Sequence, residues 1–254
     1  DPLAGPRPVC PGCSYQHASY GAEIRMKQAQ FAAMMRRACG DDVPLEEPTP
    51  SPESINYRNK AVFHFSSDGA APALGYFMED NRTVLDIPAC PLACRLINDA
   101  LAEKRADPGF FHTLRDGMGV TFRSHARGVE FWRGSPPKGM SWLRDPAPFG
   151  EMSVPAGSFS QVNPGCAALL AKKIHDVARA SAPDVFVDLF CGAGFFSMAA
   201  AAAGVGRIVG VESDGPSVEA ARHNLRSHGD ALFFKSDAGH AMGKKVRPAD
   251  LAAS

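Results

Sequence analysis

The chain has 254 residues, 45% of them hydrophobic, and its 27 basic side chains are matched by 27 acidic ones. That is enough for one or two domains with a sizeable core, its balanced charge argues against a protein that holds nucleic acid through a strong overall basic field, and no apolar run approaches the ~20 residues of a membrane span. Seven cysteines, an odd number, argue against a simple secreted disulfide framework and for free thiols or metal ligands in a reducing cytosol, so a cytoplasmic location is expected.

The chain opens on Asp1, without Met and without a signal-peptide pattern, as an excised fragment would. A Pro/Gly-rich start ends in Cys10-Pro11-Gly12-Cys13. Residues 20–38 are predicted to be a helix, with Ile24, Met26, Ala29, Phe31, Met34 and Met35 on a mostly apolar side. Residues 41–52, acidic and proline-rich, read as a loop. Strands are predicted at 61–65, 73–78 and 83–87, a helix at 96–104, and strands at 119–122 and 128–132. Composition changes near Pro155. The expected organisation is a cysteine-motif segment and helix (1–40), a central α+β domain (41–154) and an α/β domain (155–254).

In that last part a helix over 167–179 leads into Phe186-Val187-Asp188-Leu189-Phe190-Cys191-Gly192-Ala193-Gly194-Phe195-Phe196-Ser197. The order is an apolar strand, a glycine turn and the start of an alanine-rich helix. A second strand, 207–211, ends next to Glu212, and a helix over 216–227 and a strand over 232–235 follow. Strand, Gly-x-Gly turn, helix, strand and acid mark a nucleotide-type cofactor site in a doubly wound sheet. Gly192 and Gly194 let the backbone approach the ligand, and Glu212 can accept hydrogen bonds from ribose hydroxyls. The third glycine of the dinucleotide fingerprint is absent, because Phe195 and Phe196 follow Gly194. S-adenosylmethionine, an adenosine without phosphates, is therefore the candidate cofactor. The sheet usually has more strands than these, so the domain is expected to be incomplete here.

The residues Cys10-x-x-Cys13 with Gln16-His17, then Tyr57-Arg58-Asn59-Lys60-Ala61, Cys90-Pro91-Leu92, Phe159-Ser160-Gln161-Val162-Asn163, and Asp188-Leu189-Phe190-Cys191-Gly192-Ala193-Gly194 occur in one order. In this order they resemble the iron–sulfur 5-methyluridine RNA methyltransferases, from Cys10 to about Asp237. The resemblance implies an α/β fold: a class I S-adenosylmethionine-dependent, Rossmann-like methyltransferase domain behind a central α+β RNA-binding domain that carries a metal cluster. It implies methylation of uridine carbon 5 in ribosomal or transfer RNA. It places Gln161, Phe190, Gly192, Gly194, Glu212 and Asp237 around S-adenosylmethionine, and Cys10, Cys13 and Cys90 on a [4Fe–4S] cluster. Thiolates suit such a cluster or zinc. The remaining ligand has been cut off, been replaced, or is Cys94, since residues 1–9 contain no cysteine.

The RNA-facing candidates are Arg58, Asn59 and Lys60, and the stretch 115–144, where Arg123, Arg127, Arg133 and Lys138 mix with Phe122, Trp132 and Trp142. Arginines can bind phosphate and aromatic faces can stack unpaired bases; a solvated strand face with core aromatics is the plain alternative. In the family a cysteine thiolate adds to carbon 6 of uracil and makes carbon 5 nucleophilic, and a base later removes the carbon 5 proton. The family's nucleophile lies in a Ser-Cys-Asn motif preceded by an Asp-Pro-Pro-Arg-like loop. Neither occurs in the 254 residues, and Asp250 is expected near the start of the strand leading to that loop. No catalytic residue is assigned, and the chain by itself is expected to be inactive. Cys191 belongs to the cofactor loop, and Cys39 and Cys166 read as helix-packing residues. A cluster-bearing RNA-binding module without methyl transfer, or a small-molecule methyltransferase, are the other readings.

Overall fold

The computed structural model describes residues 10–69, 71–137, 140, 142–241 and 251. Lys138 and Asp250 lie outside them.

The first helix, α1 (Tyr20–Cys39), starts where the Ser19 hydroxyl accepts a hydrogen bond from the Ala22 N–H, and it stops at Gly40, whose φ is +94°. None of its residues is buried, and Phe31 and Met34 are exposed. The apolar side expected for this helix is thus not a buried stripe. At 100° per residue Met26 and Ala29 fall opposite Ile24, Phe31 and Met35, so no single face can be covered.

A five-stranded antiparallel sheet follows: β1 (Lys60–Ser66), β2 (Ala73–Phe77), β3 (Val84–Asp86), β4 (Gly119–His125) and β5 (Gly128–Arg133), in the order β3-β2-β1-β4-β5. The β2–β3 turn closes on Asp80, whose carboxylate accepts from the Arg82 and Thr83 N–H groups and the Thr83 hydroxyl. Alternation sends Ala61, Phe63, Phe65, Val120 and Phe122 to one face. There they pack on Ile97 and Leu101 of α2 (Arg95–Arg105) and Phe110 of α3 (Pro108–Phe111).

A hairpin, β6 (Leu143–Ala147) and β7 (Gly150–Val154), connects this sheet to the rest of the chain. Pro146 and Pro148 conceal it in the sequence, yet a two-stranded ribbon tolerates proline because one side of each strand needs no ladder bond. Met152 and Val154 already belong to the next core.

The last part is a βαβαβ unit preceded by a helix: α4 (Pro164–Ser181), β8 (Val185–Leu189), α5 (Phe195–Ala202), β9 (Arg207–Glu212), α6 (Gly215–Asn224), β10 (Ala231–Lys235) and the short α7 (Ala238–His240). The parallel strands run in the order β10-β9-β8. Asn163 caps α4 by accepting from the Cys166 N–H, and Asp214 caps α6 by accepting from the Ser217 N–H. Both helices carry Pro in the first turn. Ile208, Val218, Leu225, Met198 and Phe233 form the core between sheet and helices. Among the described residues β8 has one neighbour, and Val187 and Leu189 on it are 37% and 43% exposed.

Gly210, in the middle strand of that sheet, is there for space. A Cβ built on it would lie 2.3 Å from the Phe233 ring and 3.0 Å from the Cys191 sulfur. Gly210→Ala is expected to destabilise the fold by about 1–3 kcal/mol, the usual cost of overpacking a filled core. Urea unfolding of the two proteins measures it, and equal midpoints would show that the ring moves aside freely.

Candidate active site

The glycine turn leaves β8 through a run of unusual backbone conformations. Phe190 (φ +63°), Gly192 (φ +53°) and Gly194 (φ +86°) all lie in the left-handed region. For the two glycines this is free; for Phe190 it stores about 1–3 kcal/mol of strain, while the ring itself is 74% exposed. Gly194 is also a close-packing point, since a Cβ on it would meet Leu225 at 2.9 Å.

Glu212 holds the turn from the neighbouring strand. One carboxylate oxygen accepts from the Gly192 N–H at 3.1 Å, and the other accepts from the Ser213 and Asp214 N–H groups and the Ser213 hydroxyl. Below it, Asp188 is buried and accepts from the Ser197 hydroxyl at 2.6 Å. Burial pushes the Asp188 carboxyl above its ordinary range, and the Glu212 charge adds to this. Burial, then the charges of Asp188 and Glu212, push the Cys191 thiol up to about 12. A thiol so placed stays protonated at neutral pH and is a poor nucleophile.

Two cavities meet at this turn. One, of about 600 Å³, is lined by Glu212, Asp214, Gly192, Ser158, Phe159 and Phe190. The other, of about 570 Å³, is lined by the Cys191–Gly192 turn, by Gln161 and Asn59, and by His125 and Asp145 of the central sheet and hairpin. Phe159, Phe190 and Gly192 border both. The sequence-predicted residues Gln161, Phe190, Gly192 and Glu212 are therefore brought together. Gly194 sits beneath the turn at the start of α5, and Asp237 lines neither cavity; its carboxylate accepts from the His240 N–H and caps α7.

Side chains that the sequence did not point to fix this geometry. Asn224 donates to the carbonyls of Ser153 (2.9 Å) and Ala193 (2.8 Å) and accepts from the Ser153 N–H, tying the hairpin to α6 and the glycine turn. The Ser158 hydroxyl donates to Asp214 at 2.6 Å. Burial alone would raise the Asp214 carboxyl, but hydrogen bonds from Ser158 and Ser217 outweigh it and hold it below the usual carboxylate range. Arg123 is fully buried and donates to both Asp145 and Ser160.

That burial corrects part of the RNA-facing expectation. Arg123, Phe122 and Trp132 cannot meet phosphate or bases, because Phe122 faces α2 and Trp132 is covered by Leu143 and Ala156. Arg127, Arg133 and Trp142 are exposed. Of the triplet Arg58, Asn59 and Lys60, Asn59 alone lines the cavity that also holds Gln161, His125 and Asp145. Lys60 lies over the Trp132 ring, and burial, then the Arg123 charge, lower its pKa.

Arg58 turns toward the cysteines. Its N–H donates to Leu92 and its carbonyl accepts from the Cys94 N–H, which clamps the loop carrying Cys90. Asn98 completes that clamp by accepting from the Cys90 N–H and donating to the Cys90 carbonyl, while Gln16 donates to the Cys10 carbonyl. The Cys13 thiol is raised by burial and then by the charges of Cys90 and Cys10, and Arg58 opposes this. The three thiols are thus within electrostatic reach of one another. Among the described residues, however, no three His, Cys, Asp or Glu side chains are drawn together into a metal shell.

The Asp188 environment has a testable consequence. Its folded-state pKa is raised, so it stabilises the fold below its unfolded pKa, and that contribution is lost as pH rises through the folded value. Asp188→Asn, always neutral, should therefore gain stability relative to the parent between about pH 4 and pH 7. Thermal melts at both pH values check this, and a pH-independent difference in Tm would mean that the buried carboxylate ionises without penalty.

No protein-family model matches the chain. An uncharacterized RNA methyltransferase of Streptomyces coelicolor is 27% identical over 260 residues, covering 88% of this chain and 56% of that protein. The 23S rRNA (uracil(1939)-C(5))-methyltransferase of Shewanella sediminis is 23% identical over 278 residues, covering 93% of this chain and 62% of its own length. The tRNA (uracil(54)-C(5))-methyltransferase of Schizosaccharomyces pombe is 26% identical over 235 residues, 85% of this chain and 44% of that protein. The chain thus spans 56% and 62% of the lengths of the first two of these relatives. Among solved structures, the Pyrococcus abyssi tRNA (uracil-54, C5)-methyltransferase in complex with S-adenosyl-L-homocysteine superposes with a TM-score of 0.66 at 18% identity, over 90% of this chain and 66% of that one. The chain is similar along most of its length to RNA uracil-C5 methyltransferases, and its fold is the class I methyltransferase fold.

Proposed function

We propose that these residues form the cofactor turn and RNA-binding part of an enzyme that methylates carbon 5 of uridine in ribosomal or transfer RNA. The observation that carries this is the pair of cavities meeting at one glycine turn. One has the Glu212 carboxylate on its wall, and the other opens toward the central sheet. A group-transfer enzyme needs this arrangement: donor and acceptor on opposite sides of one small opening.

S-adenosylmethionine fits the donor side. Glu212 would hold the ribose diol, Gly192 and Gly194 would let the backbone approach, and Gln161, on the wall of the second cavity, would face the methionine end across the opening. When bound, it supplies a methyl group on a cationic sulfonium. The chain's own contribution is positional: Phe159 and Phe190, 73% and 74% exposed, separate the two ligands and shield the opening from water. Cys191 is buried and its thiol is pushed up to about 12, which makes it a poor nucleophile. The nucleophilic thiol, and the base, belong in our reading to a longer chain, and the 254 residues alone should bind the cofactor without turning over RNA.

A [4Fe–4S] cluster is proposed at Cys10, Cys13 and Cys90. The donor chemistry suits it: the Cys13 thiol, raised by burial and then by the charges of Cys90 and Cys10, lies beside an Arg58 whose buried Nε has no hydrogen-bond partner. A bound cluster would be anionic and would answer that unpartnered donor. It would need a fourth ligand besides these three.

Two measurements test these readings. Glu212→Ala should weaken S-adenosyl-L-homocysteine binding by roughly 1–3 kcal/mol, the loss expected when a ligand's hydroxyls lose a charged acceptor. Calorimetry on both proteins reads this, and unchanged affinity would move the ribose contact elsewhere. Protein reconstituted with iron and sulfide in the absence of oxygen should be brown, and Cys13→Ser should stay pale. Colourless protein holding stoichiometric zinc would rule out the cluster.

A further inference from the structure

Asn59 is a junction. Its N–H donates to the Val162 carbonyl at 3.0 Å and its carbonyl accepts from the Ser124 N–H at 2.8 Å, so it ties the start of β1 to β4 and to the segment carrying Gln161. Its side-chain Nδ2 donates to the Gln161 carbonyl over a long 3.4 Å. Its Oδ1 is shielded and has no partner. Among the described residues three buried side-chain polar atoms are orphaned, and the other two, Arg58 Nε and Arg123 Nε, are donors. Asn59 Oδ1 is thus the one buried acceptor waiting for an N–H. Reversing the amide would set Oδ1 against the Gln161 carbonyl, two acceptors facing each other, so the orientation is fixed by the hydrogen bonding.

An orphaned acceptor is costly and points to a missing donor. Asn59 lines the cavity that Glu212 does not, and Phe159, Phe190 and Gly192 border both. Pro146, Ala147, Met152 and Phe196 are among the residues that make the walls of the Asn59 cavity largely apolar, and Asn59, His125 and Asp145 are among its polar groups. Such a site suits a flat ring with apolar faces and one polar edge. Uracil presents an N3–H donor between two carbonyl acceptors. If the weak bond to Gln161 is released, the carboxamide can turn into the cavity, with Oδ1 accepting the N3–H and Nδ2 donating to an adjacent carbonyl. Cytosine would set an unprotonated N3, another acceptor, against Oδ1.

We propose that Asn59 determines base specificity, its carboxamide selecting uracil through the N3–H, a role that rests on the uridine reading proposed for this site. The test uses the 254-residue protein saturated with S-adenosyl-L-homocysteine. The probes are short labelled RNAs of purines with one central uridine, 3-methyluridine or cytidine, and anisotropy reads binding. The parent protein should bind the uridine RNA about tenfold more tightly than the other two, as expected for one lost hydrogen bond with a partner left unpaired. Asn59→Leu, at saturating cofactor, should bind all three alike, at the weaker level. Equal binding of uridine and 3-methyluridine by the parent protein would overturn the assignment without any variant. A uridine preference that survives in Asn59→Leu would also overturn it. In both cases intact cofactor and RNA binding would leave the methyltransferase reading standing. Loss of all cofactor and RNA binding by the parent protein would sink both.

Discussion

A guanidinium without solvent contact sits where the two halves of the molecule meet. Arg123 lies at the end of β4, on the face opposite the α2 core, and binds Asp145 of β6 and Ser160 of the segment leading into α4. Removing such a charge from water costs several kcal/mol, and the Asp145 carboxylate roughly offsets this only in good geometry. The pair is therefore weak evidence for stability. Its consequence is register: only one arrangement of sheet, hairpin and linker satisfies both partners, and any slip leaves a buried charge unpaired. Lys60, directly across from Arg123 in the ladder, adds to the constraint, because two neighbouring cations tolerate only an arrangement that keeps Asp145 in place.

The cavities inherit their shape from that anchor. Ser160 is held from below, so Phe159 and Gln161 on either side of it are presented outward, one as an exposed ring and one on the cavity wall. The hairpin carries the constraint onward. Its β7 strand buries Met152 and Val154 in the second core, and its Ser153 exchanges two hydrogen bonds with Asn224, which also donates to Ala193 in the glycine turn. The Ser158–Asp214 bond closes the loop from the other side. Central sheet, hairpin, linker and cofactor turn are thus joined by polar bonds between side chains far apart in sequence. The space enclosed between them is shaped by this network more than by either core.

That distribution explains what was legible in the sequence. The strands of the central sheet and the βαβαβ unit announce themselves, because local alternation, glycine punctuation and capping residues such as Asn163 and Asp214 act over a few residues. The hairpin was missed because prolines are read as loop signals, and α3 because four residues carry no periodicity, although Asp107-Pro108 is a helix start. Phe122, Arg123 and Trp132 read from the sequence as RNA-facing candidates, with core aromatics as the plain alternative, because alternation separates two faces without saying what covers them. β4 is covered on both, by α2 on one side and by the hairpin on the other. Gly192 and Glu212 stand out through the order of strand, glycine turn, helix, strand and acid, and Gln161 and Phe190, which the structure brings to the same turn, stand out only through the resemblance. Asn224, Ser158 and Asp145 do not stand out, since nothing local distinguishes a bonding serine or asparagine from a solvated one.

The electrostatics of the turn bear on which ligand it accepts. Burial opposes ionisation at both Asp188 and Cys191, the Glu212 charge adds to it at both, and the Asp188 charge adds to it at Cys191. A phosphate brought to this turn would add a third negative charge, and the helix start at Gly194 is followed by Phe195 and Phe196 rather than by the open glycine that a pyrophosphate requires. A cation has the opposite effect: it offsets the Glu212 charge and favours the charged form of Asp188. A sulfonium or an amino group placed over the turn would therefore be bound partly through the relief of a cost that the free protein carries. The same fold that serves dinucleotides elsewhere is biased, by two acids and two phenylalanines, toward a cofactor that is positively charged and carries no phosphate.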